Sequence, residues 1–189
     1  FVDADGNGSR VGRTLTAPED DDPRPITFAF VSCQTLNEGK LNAYRRMIFE
    51  DERAAPTDQL GFVLHLGDFI YEVVQYPEEV KTRFDRTIFE VARIPDGHKV
   101  GNFHIPLTLE GYRAIYKGYL HDPDLQDARA RWPFVAIWDN HECAWTGVQS
   151  IVRAGPFEQS VQIVKVAAYQ AWLEYLPPRV APPWGTGNQ

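Results

Sequence analysis

The sequence predicts a layered α/β fold, in which short buried strands alternate with amphipathic helices. Residues 26–31, 62–66 and 134–138 are apolar runs of strand length. Apart from Thr27 and His65, the runs are apolar and do not alternate with polar residues, as expected for a strand that is covered on both faces of its sheet. Helical patterns lie between and after these runs, and this alternation favours helices packed on a sheet.

Three helices are predicted from apolar side chains that recur every three or four residues. The members of the three stripes are Leu41, Tyr44 and Ile48, then Tyr112, Ile115, Tyr116 and Tyr119, and finally Val161, Val164, Ala168, Trp172 and Tyr175. The last helix must end before Pro177 and Pro178, because proline cannot donate a helical hydrogen bond.

The predicted core occupies residues 26–176 and is flanked by polar segments. Residues 1–25 are rich in glycine, aspartate and proline and are predicted to end in a linker, and residues 177–189 are predicted to form a proline-rich, linker-like tail. Within the core, residues 76–106 combine proline and glycine turns with scattered charge. We interpret this segment as a long surface excursion near the functional site.

Composition limits the classes of partner. The chain has a net charge of -7 and contains no run of lysine or arginine, so a nucleic-acid-binding surface is not expected. A phosphate substrate would therefore need local cations. No apolar run approaches the ~18 residues of a membrane span, and the two cysteines do not form the pattern of a disulfide framework.

Chemically reactive side chains follow all three apolar runs. They are Ser32-Cys33-Gln34 after the first run, Gly67-Asp68-Phe69-Ile70-Tyr71-Glu72 after the second, and Asp139-Asn140-His141-Glu142 after the third. Because the carboxyl ends of strands form the ligand crevice of open α/β sheets, these side chains are predicted to converge. Thiolate, carboxylate, phenolate, amide and imidazole groups together suit iron or zinc beside an oxygen-preferring divalent ion.

Each of these residues also has a purely structural interpretation when it is taken alone. Cys33 could be a buried thiol, and Asp68 could be a turn residue. Tyr71 could be a core aromatic, His141 an imidazole with its hydrogen bonds satisfied, and Glu142 an ion-paired carboxylate. In combination, the spacing of residues 67–71 and 140–142 favours a metal-dependent phosphoesterase. Glycine permits close backbone approach, and one aspartate can bridge two cations about 3.5 Å apart.

The same residues resemble the PhoD-like alkaline phosphatase family of metallophosphoesterases. The matching segments are Val31-Ser32-Cys33-Gln34, residues 64–72, Tyr112-Arg113, residues 122–126 and residues 133–142, in the family's order and rough spacing. Residues 11–14, with Ala17 and Pro18, are similar to the end of that family's N-terminal β-domain. The resemblance covers nearly the whole chain.

This resemblance implies a layered metallophosphatase-type α/β sandwich, with residues 26–176 as its first part and residues 1–25 as the end of a β-domain and a linker. It implies hydrolysis of phosphate monoesters or diesters by a metal-activated hydroxide at a binuclear or larger centre. The expected cofactors are Fe(3+) and Ca(2+), with Zn, Mn or Mg as alternatives at the second site. Members of the family are exported, so a periplasmic or secreted location is expected.

The family also implies a role for each matching side chain. Cys33, Asp68 and Tyr71 would bind the iron(III) ion, and Asp68 would bridge to the calcium side. Asn140 would bind the second ion, and His141 would be the catalytic residue that faces the substrate phosphoryl group. The remaining position of the motif, Asp139, would be either a ligand or a supporting residue.

Two departures from the family pattern bear on completeness. Asn140 stands where the family usually has aspartate, which removes one negative charge and could change the preferred second metal. The family places further aspartate and histidine ligands downstream, whereas the other four histidines of this chain all precede His141. The sequence is therefore expected to hold the first half of the site, with a C-terminal polypeptide segment completing the domain.

Three other functions stay open from the sequence alone. A non-catalytic binding or assembly module on a truncated phosphatase scaffold would explain the missing downstream ligands. A thiol enzyme would use Cys33 as its nucleophile and His65 or His141 as its base. A paired-carboxylate glycosidase would use two of the aspartate and glutamate side chains in the motifs that follow the strands.

Overall fold

A computed structural model describes residues 2–16, 18–144, 151–154 and 157–178. Within this part of the chain the strands are β1 (Phe28–Val31), β2 (Phe62–His65), β3 (Thr82–Arg83), β4 (Arg86–Thr87), β5 (His98–Val100), β6 (Phe103–Ile105), β7 (Phe134–Ala136), β8 (Ile151–Ala154) and β9 (Phe157–Ser160). The helices are α1 (Ala43–Asp51), α2 (Leu109–Leu120), α3 (Pro123–Arg131) and α4 (Val161–Tyr175). A mixed α/β fold, as predicted, is confirmed.

The central sheet contains the three predicted strands, all parallel, in the order β1, β2, β7. The register places Phe30 opposite Leu64 and Leu64 opposite Val135. Because all three strands run in the same direction, their carboxyl ends lie at one edge of the sheet. This edge is where the candidate site is found.

The helices match the three predicted stripes and add one that the apolar pattern did not reveal. α3 is mostly polar, so it shows little helical periodicity. Its start is instead marked by Asp122, whose carboxylate accepts hydrogen bonds from the backbone N–H groups of Asp124 and Leu125, and by Pro123 in the first turn. An aspartate cap followed by proline is a helix-start signal that is independent of amphipathicity.

The core lies between one face of the sheet and the helices. Val63 and His65 of β2 point toward this side and are fully buried. The fully buried side chains that α2 and α4 contribute to the same core are Tyr112, Ile115, Tyr116, Tyr119, Ala168 and Ala171. Since a helix stripe needs an apolar partner, this packing accounts for the periodicity that predicted α2 and α4.

The opposite face of the sheet is apolar and exposed. Phe30 is 70% exposed, and Phe28, Val135 and Ile137 are each about half exposed. Within the described residues, therefore, the prediction that the strands are covered on both faces is wrong. The apolar runs reflect a face that none of the described elements covers, and such a surface is unusual for a parallel sheet.

The excursion at residues 76–106 is built from two small hairpins. β3 pairs with β4, and β5 pairs with β6, each antiparallel. The excursion packs closely on α2 at Gly118, where an added Cβ would lie 2.2 Å from the carbonyl oxygen of Val91. Only glycine allows this approach of the two backbones.

The flanking segments add little regular structure. Described residues up to 25 contain only an isolated bridge between Val2 and Gly8, so the assignment of residues 1–25 to the end of a β-domain stays a prediction. Residues 179–189 of the predicted tail lie outside the described residues. In the described part of the chain, no helix has the length and apolar character needed to cross a bilayer.

Candidate metal centre

The ends of β1 and β2 are held together by backbone contacts at unusual dihedral angles. Cys33 and Asp68 follow these strands and have φ values of 55° and 54°. The Cys33 N–H donates to the carbonyl oxygen of Gly67 at 3.2 Å, and the Gln34 N–H donates to that of Asp68 at 3.3 Å. Non-glycine residues in the left-handed region cost energy and are concentrated at functional sites. The backbone therefore supports the predicted convergence at this edge.

Gly67 brings the end of β2 against the segment that follows β7. Its φ is +95°, and a Cβ added there would lie 2.4 Å from the Cβ of Asp139. Any side chain at this position would therefore separate the two strand ends. The glycine of the motif has a steric role as well as a conformational one.

The carboxylate of Asp68 is the meeting point of three predicted ligands. Its Oδ2 lies 3.5 Å from the Sγ of Cys33 and 3.4 Å from the phenolic oxygen of Tyr71. We call Cys33, Asp68 and Tyr71 the Asp68 cluster. The structure thus brings together all three residues that were predicted to bind the first ion.

The chemistry of the Asp68 cluster fits a metal cation. Burial raises the pKa of Tyr71, and the negative charges of Asp68 and Cys33 raise it further. Thiolate, carboxylate and phenolate would repel one another if all three were ionised, and a cation bound between them would remove that repulsion. The described residues contain no ready-made group of three or more His, Cys, Asp or Glu ligands, so the fit depends on Tyr71.

Glu142 fixes the backbone beneath the cluster and was missed as a site residue. It is fully buried, and its carboxylate accepts hydrogen bonds from the backbone N–H groups of Asp68 at 3.1 Å, Phe69 at 2.6 Å and Asp139 at 2.8 Å. Burial raises the pKa of Glu142, and these backbone hydrogen bonds oppose the shift. One carboxylate therefore joins the residues after β2 to those after β7.

Asp139 and Asn140 begin a single 3₁₀ turn that spans Asn140–Glu142. Asp139 caps this turn, and its Oδ1 accepts a hydrogen bond from the Asn140 N–H at 2.8 Å. A capping carboxylate is already oriented by the backbone, which favours the supporting role for Asp139 over the ligand role. Asn140 lies directly before His141, whose backbone N–H contacts Asp68 Oδ1 at 3.2 Å.

His141 is held beside the cluster by Glu72, the second residue that sequence reasoning missed. Its Nδ1 lies 2.6 Å from Glu72 Oε2, and its ring centroid lies 4.1 Å from that of Tyr71. Burial disfavours the charged imidazole, but the hydrogen bond and charge of Glu72 outweigh it, so the pKa of His141 is raised. Glu72 and Glu142 both lie inside the predicted motifs, yet only their long-range contacts reveal their roles.

The geometry does not favour the thiol-enzyme or glycosidase hypotheses. The Cys33 thiol contacts Asp68 and interacts with Tyr71, while His141 pairs with Glu72. His65 is fully buried, and neither ring nitrogen has a hydrogen-bond partner among the described residues. Glu142 is occupied by three backbone donors, so it is poorly placed to act as a general acid or base.

The chain is similar over most of its length to proteins of one family. The PhoD-like phosphatase family profile matches residues 28–188. The chain is 33% identical over 174 residues to alkaline phosphatase D of Bacillus subtilis (strain 168), covering 92% of this chain and 26% of that protein. A solved structure of PhoD superimposes with a TM-score of 0.58 at 33% identity, covering 93% of this chain and 30% of that one.

The chain therefore spans about a quarter to a third of the length of these relatives. The segments that match include all three strand ends and their motifs, since the family profile begins at β1 and continues beyond α4. The two features together, a matching sequence and a matching backbone over the same residues, are sufficient to assign the family. This protein belongs to the PhoD-like phosphatase family.

Proposed function

We propose that this chain carries the first part of a metal-dependent phosphoesterase centre that hydrolyses phosphate monoesters or diesters. The observation that carries the proposal is the convergence of Cys33 Sγ and the Tyr71 phenolic oxygen on Asp68 Oδ2, at 3.5 and 3.4 Å. Three side chains from two strand ends meet there, in a donor set that suits a transition metal. Relationship to alkaline phosphatase D supports phosphoester chemistry for the family.

The Asp68 cluster would hold the first ion, for which we propose Fe(3+). When bound, the cations would lower the pKa of a water molecule toward ~7 and neutralise charge on the phosphoryl oxygens. Cys33 supplies a strongly donating thiolate, and Asp68 has a second oxygen, Oδ1, through which it could bridge to a second ion. Glu142 keeps the Asp68 backbone in the required position through its hydrogen bonds.

The second ion would lie toward the segment after β7. Asn140 is the proposed ligand there, and Asp139 orients it through the turn that the two residues share. Because an amide oxygen is neutral, this side favours an oxygen-preferring divalent ion, for which we propose Ca(2+), with Zn, Mn or Mg as alternatives. Asp139 would act on the second ion directly only if its capping hydrogen bond were given up.

His141 is the proposed catalytic residue. Its ring packs against Tyr71 and its Nδ1 contacts Glu72, so the imidazole is oriented before substrate arrives. A raised pKa keeps a larger fraction of His141 protonated near neutral pH. A protonated imidazole can donate a hydrogen bond or a proton to a phosphoryl or leaving-group oxygen.

We propose that polypeptide outside residues 1–189 completes the domain as a layered sandwich. A calcium ion alone takes 6 to 8 oxygen ligands, about as many as the residues assigned here could supply to both ions together. The exposed sheet face around Phe30 is an apolar surface of the kind that a second layer would cover. For the complete protein we propose a periplasmic or secreted location, in line with the family resemblance.

The two cysteines provide a matched test of this function. In the complete polypeptide, Cys33→Ser is expected to deplete the first ion and to lower hydrolysis of a chromogenic phosphate ester. Cys143→Ser is the control, because Cys143 contacts Tyr112 through its backbone oxygen and is not part of the Asp68 cluster. Equal metal content and equal rates in the two variants would contradict the proposed ligand role. A wild-type protein without tightly bound metal would instead favour a non-catalytic binding module.

A further inference from the structure

The Phe84 hairpin, which we define as residues 81–88, holds an exposed aromatic ring on a strained turn. The Ile88 N–H donates to the Lys81 carbonyl oxygen at 3.0 Å and closes the hairpin. Phe84 and Asp85 have φ values of 48° and 58°, a two-residue hairpin turn that normally takes asparagine and glycine. Phe84 is nevertheless present there and is 74% exposed. Strain of this kind is concentrated at functional positions.

The hairpin also carries cations that are available to a ligand. Lys81 and Arg86 are exposed, and neither has an ion-pair partner among the described residues. Arg83 is different, because it pairs with Glu38 at 3.1 Å and its guanidinium lies 4.9 Å from the ring centroid of Phe84. One arginine thus fixes the ring, while two cations remain for an anion. In a chain of net charge -7, Lys81 and Arg86 are exposed positive charges that an anion could contact.

The base of the hairpin is attached to the loop that begins with Cys33. The Asn37 side chain donates to the carbonyl oxygens of Phe89 at 2.7 Å and Gln75 at 3.0 Å. The Phe89 N–H donates in return to the carbonyl oxygen of Asn37 at 2.9 Å. Together with the ion pair between Arg83 and Glu38, these bonds fix the hairpin to the loop that follows Cys33 in the sequence.

We propose that the Phe84 hairpin binds the non-reacting part of a phosphoester substrate that has a second anionic group next to an aromatic ring. Lys81 and Arg86 would contact the second anion, and Phe84 would stack on the ring. This inference rests on the proposed function, because it assigns a substrate class to the proposed phosphoesterase. It also explains why a large apolar side chain occupies a turn that disfavours it.

Direct binding measurements test the charge contribution. With the complete polypeptide, adenosine diphosphate is the probe with both features, and glycerol phosphate is the probe with neither the ring nor the second phosphate. The double variant Lys81→Gln/Arg86→Gln is expected to raise the Kd for adenosine diphosphate roughly three- to tenfold, the range of two exposed ion pairs. Arg53→Gln is the control, since Arg53 lies beyond the end of α1, where its guanidinium donates to the carbonyl oxygen of Phe49.

A second variant separates the ring from the charges. Phe84→Asn removes the ring and is compatible with the left-handed turn, so the hairpin is expected to fold at least as well as in the wild type. This variant should raise the Kd for adenosine diphosphate by about five- to 100-fold, the effect expected from losing a base–aromatic stack. Binding of inorganic pyrophosphate, which has two phosphates and no ring, should stay unchanged.

The outcomes distinguish this inference from the proposed function. Unchanged affinity for adenosine diphosphate in both hairpin variants would overturn the inference. A wild-type protein that binds adenosine diphosphate no more tightly than glycerol phosphate would also overturn it. If the wild type hydrolyses no phosphate ester but shows the expected binding pattern, the proposed function fails and the hairpin site stands. If it hydrolyses esters and the hairpin variants bind like Arg53→Gln, the hairpin site fails and the proposed function stands.

Discussion

The His141 imidazole and the Glu72 carboxylate form a buried pair, with Nδ1 2.6 Å from Oε2. Glu72 follows Tyr71 directly in the sequence, and His141 follows a different strand. The pair therefore ties the motif after β2 to the motif after β7 at the side-chain level, as Glu142 does at the backbone.

Removing the charge of Glu72 is expected to act through His141. His141→Ala should slow phosphoester hydrolysis by roughly 10² to 10⁴ while metal content is retained, the usual effect of losing a positioned acid or base. Glu72→Gln should slow it by about 10- to 100-fold, because the imidazole loses its orienting partner. The double variant should be no slower than His141→Ala alone, whereas multiplied effects would show that Glu72 acts independently.

Gly67 should be the least replaceable glycine of the site. Gly67→Ala combines a positive φ with a Cβ 2.4 Å from that of Asp139, so it is expected to lower the free energy of unfolding by about 2–4 kcal/mol. Gly101→Ala is the control, because Gly101 also has a positive φ but open space around it. Denaturant titration of both variants should show the larger loss at Gly67. Equal losses would mean that the close approach to Asp139 has no energetic effect.

His65 predicts a pH dependence of stability. Burial lowers the pKa of His65 to about 4, whereas a histidine in the unfolded chain has a pKa of about 6.5. As pH falls from 6.5 to 4, the unfolded state binds a proton that the folded state does not, so up to about 3 kcal/mol of stability is lost. Above pH 6.5 both states are neutral and this contribution is fully present.

The variant His65→Phe isolates this contribution, since an aromatic ring of similar shape can fill the site next to Phe69. The free energy of unfolding of wild type and variant should be measured at pH 7 and pH 4.5. Between these pH values the wild type should lose more stability than the variant, because only the wild type has His65. A difference that does not change between the two pH values would mean that His65 is not buried in its neutral form.

Because Phe30 lies on the exposed face of the sheet, replacing it should have opposite effects in residues 1–189 alone and in the complete polypeptide. Phe30→Ser should make residues 1–189 more soluble when they are produced alone, because Phe30 is 70% exposed there. In the complete polypeptide it should destabilise by about 3–5 kcal/mol if a second layer buries the ring. Phe49→Ser, on an exposed helix face, should have a small effect in both. A small effect of Phe30→Ser in the complete polypeptide would contradict the sandwich.

The sequence was sufficient to predict the three strands of the central sheet, three of the four helices in the described residues, and the meeting of Cys33, Asp68 and Tyr71. Those predictions depended on local patterns, namely apolar runs and the residues that directly follow them. The role of Glu72 was not predictable, because its partner is contributed by a different strand end. Glu142 was equally hidden, since its contacts are backbone N–H groups, which have no sequence signature.

Two further features were missed for a different physical reason. A uniformly apolar strand indicates that both faces avoid water, but it does not say which segment covers each face, so the open face around Phe30 could not be foreseen. The Phe84 turn violates the usual residue preferences of its type. Local rules therefore failed at the position where we propose a function, as expected when function opposes local stability.

The metal content of the complete polypeptide tests the central claim most directly. Protein purified without chelator should contain iron and a second divalent ion by mass spectrometry, and Asp68→Asn should lose both, because one carboxylate would serve two cations. Asp127→Asn is the control and should keep both ions. Asp127 lies on α3 and forms an exposed ion pair with Arg10. Wild-type protein without either metal, or Asp68→Asn with the full content of both, would contradict the account.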